Sequence, residues 1–233
     1  MPHEWTHSTI IPLYENKGVA QDCNNYRGIK LLSYTIKLWE RVIEARLRAD
    51  IKISENPFGF MLGRSTTEAI HVIRKLMEFY RNRKRDLHMV FIDLEKAYDK
   101  VPRDVLWRCL EKKSVPVACM GVIKDMYNRV RMRVRTSVGD TNDFPADTRL
   151  YQGLALSPFL FTIIMDELSR GIQDGIPWCM LFADDIVLID ETMEGVNTKL
   201  EQWGDILEAK AFDLVGQTLN TYIADLVQVK VML

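Results

Sequence analysis

The sequence predicts an α+β fold in which antiparallel strands and helices share one core. Two short apolar runs, residues 178–182 and 186–189, are separated by three residues and predict a β-hairpin. Residues 35–50 carry apolar side chains at helical spacing, and a capping-box pattern predicts a second helix over residues 66–81. With 233 residues, 47 % of them hydrophobic, the chain can bury a sizeable core.

The other elements follow from the same periodicities. Residues 8–12 and 87–92 are apolar runs of strand length. Prolines open two further predicted helices, 102–113 and 116–129. The rest of the predicted elements are strands 131–138 and 144–151 with a turn near Gly139-Asp140, a helix that begins at Ser157, and a helix over 193–210.

Two adjacent carboxylates, Asp184 and Asp185, lie at the tip of the predicted hairpin. Like charges beside an apolar sheet repel each other and lose hydration, so one should be protonated unless something compensates both effects. A hard divalent cation compensates them, and carboxylate oxygens are the ligands that Mg²⁺ prefers. The alternative is a polar turn between two strands.

A third carboxylate, Asp93, ends the apolar strand over residues 87–92. A carboxylate at a strand end and a pair at a hairpin tip can meet at one edge of a sheet. Three carboxylates there could hold two metal ions roughly 3.5–4 Å apart, the arrangement used for in-line phosphoryl transfer. Alone, Asp93 is better explained as the point where a strand leaves the core, but together with the hairpin it favours a metal site.

A third segment, residues 151–161, combines a flexible loop with a helix start. Ser157 followed by Pro158 is typical of a capped helix with proline at its first position. Gly153, just before it, has no side chain, so the backbone can approach a base or sugar closely. An ordinary loop that enters an amphipathic helix is the alternative.

The formal net charge of −1 hides an uneven distribution. Residues 1–135 hold 26 Lys and Arg against 16 Asp and Glu, whereas residues 136–233 hold 5 against 16. The basic portion could lie along nucleic-acid phosphates, and the acidic portion needs cations. The alternative for each basic cluster is a solvated face. The densest clusters are 81–85 and 129–135, and in the second Arg131, Arg133 and Arg135 are predicted to share one strand face.

The four cysteines and the lack of targeting signals indicate an intracellular protein, in the cytoplasm or the nucleus. The cysteines show neither close pairing nor metal-ligand spacing, which favours reduced thiols. No apolar run reaches the roughly 18–20 residues of a membrane span, and the first residues show no signal-peptide pattern. We therefore expect no membrane association. The oligomeric state is left open.

Three segments in a fixed order, 91–99, 152–158 and 182–185, resemble the palm motifs of reverse transcriptases. The closest similarity is to the LINE-type, non-LTR retrotransposons. The resemblance covers roughly residues 4 to 210. Further matches to that family are residues 25–32, 58–60, 63–66 and 160–161.

The resemblance implies a right-hand polymerase: a palm with a ferredoxin-like antiparallel sheet, plus fingers, with the thumb missing. Fingers and fingers–palm helices would occupy residues 1–88. The palm would occupy 89–213, with a helical and strand insertion at about 103–148. Residues 214–233 would form a divergent C-terminal tail.

The implied activity is that of an RNA-directed DNA polymerase, which adds a dNTP to the 3′ hydroxyl of a DNA primer along an RNA template. Asp93, Asp184 and Asp185 would be the catalytic residues and would bind two Mg²⁺ ions, with Mn²⁺ as an alternative. The Leu94 carbonyl would supply a backbone ligand.

The resemblance also implies residues that bind the substrate. Arg27 would grip the triphosphate with assistance from Lys17, since a guanidinium suits phosphate oxygens. Tyr98 would exclude a ribose 2′ hydroxyl, although a core aromatic is its alternative. Gln152 and Gly153 would line the nucleotide and template site.

The sequence departs from the family pattern in ways that suggest a truncated, partly degenerate domain. Arg149 stands where a glycine is usual, Pro57 where a glutamine is usual, and Ala211 where a glycine is usual. Residues 216–220 lack the lysine expected near the triphosphate, and we expect neither a primer grip or thumb after Lys210 nor an endonuclease before Met1. An inactive remnant that still binds nucleic acid is the main alternative. A nucleotide cyclase is disfavoured, since it would not need the 152–158 segment.

Overall fold

The structure, a computed structural model, describes residues 2, 5–16, 18–94, 97–128, 130–145, 150, 154–215 and 230–232. Lys17, Arg149, Gln152 and Gly153 therefore lie outside the described residues. The chain divides into two compact units. The first comprises residues 1–51, 98–103 and 110–157, and the second comprises residues 52–97, 104–109 and 158–233.

Helices and strands alternate irregularly along the chain, as expected for an α+β protein. In order they are β1 (His7–Tyr14), β2 (Tyr26–Leu31), α1 (Tyr34–Asp50), α2 (Thr66–Asn82), β3 (His88–Asp93), α3 (Ala97–Lys100), α4 (Arg103–Lys112), α5 (Val117–Tyr127), β4 (Arg131–Thr136), β5 (Gly139–Asp140), β6 (Phe144–Pro145), α6 (Ser157–Ser169), β7 (Cys179–Phe182), β8 (Asp185–Asp190), α7 (Met193–Val215) and β9 (Lys230–Met232).

The predicted helices are confirmed, usually to within one or two residues at each end, although α7 continues to Val215. The helix cap at Ser65 is confirmed directly, because its side-chain oxygen accepts a hydrogen bond from the Glu68 N–H at 3.1 Å. No helix among the described residues is long and apolar enough to cross a membrane.

The strand predicted over 131–138 is found as β4 and ends at Thr136. The turn predicted near Gly139-Asp140 is confirmed: it is Ser137-Val138, because Gly139 and Asp140 already pair back with Thr136 and Arg135. Of the predicted strand over 144–151, residues 144 and 145 form β6 and residue 150 is not in a strand, while residues 146–149 and 151 lie outside the described residues.

The first unit is built on a sheet of order β2-β1-β4-β5, with β6 also paired to β4. Strand β1 runs antiparallel to β2 and parallel to β4. Helix α1 buries Ile36, Ile43 and Leu47, as its apolar stripe predicts, and it also buries Glu40. The helical periodicity does not predict a buried charged residue in this stripe.

The second unit holds an antiparallel sheet of order β7-β8-β3-β9. One core cluster on this sheet consists of Phe58, Met89, Met180, Val187 and Ile189. Side chains of α2, among them Ala69, Val72, Ile73 and Leu76, pack against that cluster. Strand β9 has no signal in the sequence reasoning, and it lengthens the sheet beyond β3.

Candidate active site

The end of β3 and the start of β8 bring together the three carboxylates singled out in the sequence. Asp93 and Asp185 are directly opposite each other in the antiparallel register, and Asp184 lies in the adjoining turn. The Leu94 N–H donates to the Asp184 carbonyl at 3.0 Å, which ties the chain after β3 to that turn. Side chains directly opposite on antiparallel strands have Cβ atoms about 5 Å apart, so the register sets Asp93 against Asp185.

This arrangement concentrates negative charge. Desolvation of the carboxyl raises the pKa of Asp185, and the charges of Asp184 and Asp93 raise it further. Asp93 and Asp185 are nevertheless solvent-exposed overall, and Asp184 is half-buried, so a small cation can reach the carboxylates from solvent. Like charges directly opposite on neighbouring strands are destabilising unless they are balanced.

The donor set fits a hard divalent cation, because carboxylate and carbonyl oxygens are the ligands such ions prefer. A bound cation would also relieve the repulsion that raises the pKa of Asp185. The described residues contain no group of three or more His, Cys, Asp or Glu side chains already arranged as a metal-binding cluster. The β3–β8 register and the adjoining turn therefore supply the three carboxylate positions.

A short segment at residues 56–59 supports the hairpin from the side of β7. The Phe58 N–H donates to the Leu181 carbonyl at 2.7 Å, and the Leu181 N–H donates to the Asn56 carbonyl at 3.0 Å. The Asn56 side-chain amide donates to the Cys179 carbonyl at 2.9 Å and also to the Asp174 carbonyl. Most of one edge of β7 is thus held by this segment.

Gly59 lies directly against the turn that carries the aspartates. A Cβ atom at this position would collide with the backbone nitrogen of Ala183, and it would lie 3.2 Å from the Phe182 carbonyl carbon. Ala183 itself has a positive φ of 55°. The lack of a side chain at Gly59 is therefore what lets the segment approach the turn. The family resemblance over residues 58–60 includes Gly59 but implies no role for it.

The substrate residues named from the sequence are only partly described. Arg27 lies on β2, and its Nε is 3.1 Å from Glu15 Oε1. Tyr98 is buried in the first turn of α3. Both belong to the first unit, whereas the three aspartates and Leu94 belong to the second. Lys17, Gln152 and Gly153 are outside the described residues.

The basic clusters differ in how far their charges are already balanced. Arg133 pairs with Asp143 at 3.2 Å and Arg135 pairs with Asp140 at 3.1 Å. In the cluster 81–85, Arg83 stacks on the Phe79 ring at 3.4 Å and Arg85 pairs with Glu191 at 2.6 Å. Several of the arginines expected to face phosphates therefore have carboxylate partners.

Two buried ionisable side chains in the first unit were not predicted from the sequence. Glu40 on α1 is 1 % exposed and Lys30 on β2 is 7 % exposed. Burial lowers the pKa of Lys30 to about 7, with Glu40 opposing that shift and Arg103 adding to it. Burial likewise raises the pKa of Glu40 to about 7, against the N–H groups of Ala155 and Leu156 and the charges of Lys30 and Lys37. A glutamate within an apolar helical stripe was the available signal.

The fold and the carboxylate-bearing hairpin define the class of protein. The structure is similar to that of apo telomerase from Candida tropicalis truncated from its C-terminal domain, with a TM-score of 0.61 and 12 % sequence identity. The match covers 100 % of this chain and 51 % of that one. At this identity the likeness concerns the fold, which is that of a palm-containing, right-hand polymerase.

The particular family follows from the sequence match over residues 15–215 to the family described as reverse transcriptase (RNA-dependent DNA polymerase). The chain belongs to this family, whose members use divalent metal ions.

Two relatives confirm the resemblance to non-LTR retrotransposons. The probable RNA-directed DNA polymerase from transposon BS of Drosophila melanogaster is 32 % identical over 200 residues, which are 81 % of this chain and 22 % of that protein. The Pol polyprotein from the type-1 retrotransposable element R2 of Nasonia vitripennis is 21 % identical over 228 residues, 94 % of this chain and 22 % of its own length. The chain thus spans about a fifth of each.

Proposed function

We propose that this chain carries the nucleotidyl-transfer centre of an RNA-directed DNA polymerase, which extends a DNA primer with dNTPs along an RNA template. The observation that carries the proposal is the β3–β8 register, which sets Asp93 opposite Asp185 with Asp184 in the adjoining turn. Family membership supports the choice of reaction. The uneven charge distribution supports nucleic acid as the partner.

Asp93, Asp184 and Asp185 would hold two Mg²⁺ ions, with the Leu94 carbonyl as a further ligand and Mn²⁺ as an alternative ion. When bound, such ions stabilise the negative charge that develops on the transferred phosphoryl group. The role of the chain itself is to fix the ligand positions. The hydrogen bond between Leu94 and Asp184 and the support of β7 by residues 56–58 limit how far the carboxylates can separate.

Substrate binding is assigned to the first unit. Arg27 would bind the triphosphate, and a phosphate oxygen would then replace the Glu15 carboxylate that Arg27 contacts here. Lys17 would assist it. Tyr98, which is buried, would exclude a 2′ hydroxyl, and Gln152 with Gly153 would line the nucleotide and template site.

The test is primer extension by the purified chain on a poly(rA)–oligo(dT) template with dTTP and Mg²⁺. We expect extension that is lost with EDTA and restored by excess Mg²⁺. A poly(dA) template and a UTP substrate serve as specificity controls. Template binding with no extension, under Mg²⁺ or Mn²⁺ and across a range of protein concentrations, would instead support the inactive alternative.

Binding to a primer–template duplex is expected to weaken steeply with salt. Each phosphate contact contributes roughly 0.7–0.9 to the slope of log affinity against log salt, because neutralised phosphates release counterions. Replacing Arg81 and Lys84, both exposed, with glutamine should therefore lower the slope by about 1.5.

The matched control for this experiment is Lys75→Gln on α2, the helix that also carries Arg81. Lys75 already pairs with Glu78 at 3.1 Å, so its removal should change the slope much less. Fluorescence anisotropy between 50 and 200 mM KCl measures all three proteins. A wild-type affinity that is independent of salt would contradict a phosphate-dominated interface.

A further inference from the structure

The last turn of α2 and the residues that follow it form a basic surface in the second unit. We call it the α2-end patch, and it consists of the exposed residues Phe79, Arg81, Arg83 and Lys84. The Lys84 N–H donates to the Arg81 carbonyl and the Arg85 N–H donates to the Tyr80 carbonyl, both at 3.1 Å. These two bonds are those of a Schellman motif, so they fix the backbone of the patch to the helix end.

Lys84 has a backbone conformation that favours glycine. Its φ is 52°, in the left-handed region, and glycine is the usual residue at this position of a Schellman motif because it has no Cβ. A side chain here costs stability that glycine would retain. The chain thus carries a positive charge at a position where the fold itself favours glycine.

Arg83 and Phe79 form a stacked layer on the surface of the patch. The Arg83 guanidinium carbon lies 3.4 Å from the centroid of the Phe79 ring, well within the distance of a cation–π contact. Phe79 is nevertheless 46 % exposed. Nucleobases stack on aromatic rings and on guanidinium planes, so this layer offers a platform for a base.

The charges of Arg81 and Lys84 are available to a ligand, whereas that of Arg85 is balanced. Arg85 contacts Glu191 at 2.6 Å, and Glu191 also accepts a hydrogen bond from the Tyr80 hydroxyl at 2.5 Å. Within the part of the chain that the structure describes, neither Arg81 nor Lys84 pairs with a carboxylate. The contacts of Glu191 therefore anchor the helix end without neutralising the patch.

This anchor lies at the end of the sheet opposite to the aspartates. Glu191 directly follows β8, whereas Asp185 begins that strand. At about 3.3 Å per residue, the five steps from Asp185 to Asp190 cover roughly 17 Å. A ligand of the α2-end patch is therefore separate from a nucleotide bound at the carboxylates.

We propose that the α2-end patch is a second nucleic-acid site that binds a single strand. A base stacks on the Arg83–Phe79 layer, and Arg81 and Lys84 neutralise the neighbouring phosphates. The ligand is single-stranded because a paired base, stacked within its own helix, is not free to stack on a side chain. RNA and DNA share this chemistry. The inference goes beyond the proposed function, since such binding requires neither a metal ion nor catalysis.

Three variants separate stacking from charge. Arg83→Lys keeps the charge but loses the planar group, and Phe79→Leu keeps an apolar side chain but loses the ring. Lys84→Gly removes a charge and suits the left-handed backbone. Arg74→Lys is the matched control, because Arg74 is exposed on the same helix and contacts no aromatic ring among the described residues.

Binding is measured by fluorescence anisotropy with the full chain in EDTA. The probes are a labelled 12-nucleotide RNA without self-complementarity, DNA of the same sequence, and a blunt RNA–DNA duplex. Arg83→Lys and Phe79→Leu should each weaken single-strand binding on the order of tenfold, and duplex binding by less than about twofold. Arg74→Lys should match the wild type.

The salt dependence and the thermal midpoint distinguish a binding role from a role in the helix end. Lys84→Gly should lower the slope of log affinity against log salt by about 0.7, whereas Arg83→Lys should leave it unchanged. The helix dipole also favours cations at this end, so stability is measured on each variant. The thermal midpoint of Lys84→Gly should be unchanged or higher.

Ultraviolet crosslinking of RNA that contains 4-thiouridine locates the site directly. Crosslinked peptides should map to residues 75–86 in the wild type and should be lost in Phe79→Leu. Tighter binding of RNA would support a template strand as the ligand, and tighter binding of DNA would support a DNA strand.

The proposal is overturned if the wild type binds neither single strand, if Arg83→Lys binds as the wild type does, or if Arg74→Lys or the duplex shows an equal loss. Arg83→Lys carries this test even if Phe79→Leu does not fold. A failure of primer extension would count against the proposed function and leave these results unaffected, because all of them are obtained without Mg²⁺.

Discussion

Asp184→Asn is expected to lower the rate of nucleotide incorporation on the order of a thousandfold. The carboxylate lies in the turn next to the Asp93–Asp185 pair, and an amide oxygen carries no charge with which to hold a divalent cation. Loss of several kcal/mol of transition-state stabilisation corresponds to about this factor, since each 1.4 kcal/mol is tenfold in rate. Single-turnover primer extension measures the effect.

The thermal stability of Asp184→Asn should not fall along with its activity. The Asp184 charge contributes to the raised pKa of Asp185, so removing it relieves repulsion and should leave the thermal midpoint unchanged or slightly higher in EDTA. Mg²⁺ should stabilise the wild type by mass action and should stabilise Asp184→Asn less. Asp86→Asn, an equal charge change at an exposed loop residue of the same unit, is the control.

A variant that loses both activity and stability would assign Asp184 a structural role in the hairpin. Retention of most of the activity would remove Asp184 from the proposed metal site. The thermal shift with Mg²⁺ reports on the ion even if extension by the wild type is slow, so the two readouts fail separately.

The sequence was sufficient to predict features that depend on residues close to one another along the chain. The β-hairpin over residues 179–190, the cap at Ser65 and the helix that begins at Ser157 each follow from a local period or a local hydrogen bond. The juxtaposition of Asp93 with the hairpin was also predictable, because an apolar strand that ends in a carboxylate and a hairpin with two carboxylates can share a sheet.

What the sequence could not show are contacts between distant segments. The helical period places Glu40 on a helix but does not predict its burial, because the Ala155 N–H that donates to it lies 115 residues away. Gly59 stood in a recognised motif, yet its contact with the turn at Ala183 depends on how residues 56–58 pair with β7. Strand β9 lies in a region where the resemblance had faded.

Counting charges along the sequence also did not predict which basic residues are available to bind nucleic acid. The excess of basic residues before position 136 is real, but Arg133 and Arg135 pair with Asp143 and Asp140. Those acidic residues belong to the portion counted as negative. Local pairing therefore reduces both excesses, and exposed residues such as Arg81 and Lys84 become the more informative targets.

Gly59→Ala is expected to impair both the hairpin and the transfer reaction. The added Cβ would collide with the Ala183 backbone nitrogen and would lie 3.3 Å from the Ala183 Cα, and neither atom can move without shifting the turn. Overpacking of this kind costs about 1–3 kcal/mol of unfolding free energy. Because Asp184 directly follows Ala183, a shift of about 1 Å there should also lower the incorporation rate on the order of a hundredfold.

The matched control is Gly204→Ala in the interior of α7, where a Cβ would meet nothing within 4 Å. That change should stabilise the protein by about 0.5–1 kcal/mol, since alanine favours a helix over glycine. Urea denaturation and single-turnover extension are measured on both variants.

If Gly59→Ala does not fold, Asn56→Ala tests the same support more gently, because it removes the amide that donates to the Cys179 carbonyl at 2.9 Å. It should cost about 1–3 kcal/mol and reduce the incorporation rate, since the Cys179 carbonyl loses its buried partner and β7 loses part of its edge contact. Wild-type incorporation rates in a folded Gly59→Ala, or in Asn56→Ala after correction for the folded fraction, would show that the hairpin that carries Asp184 keeps its geometry without these contacts from residues 56–59.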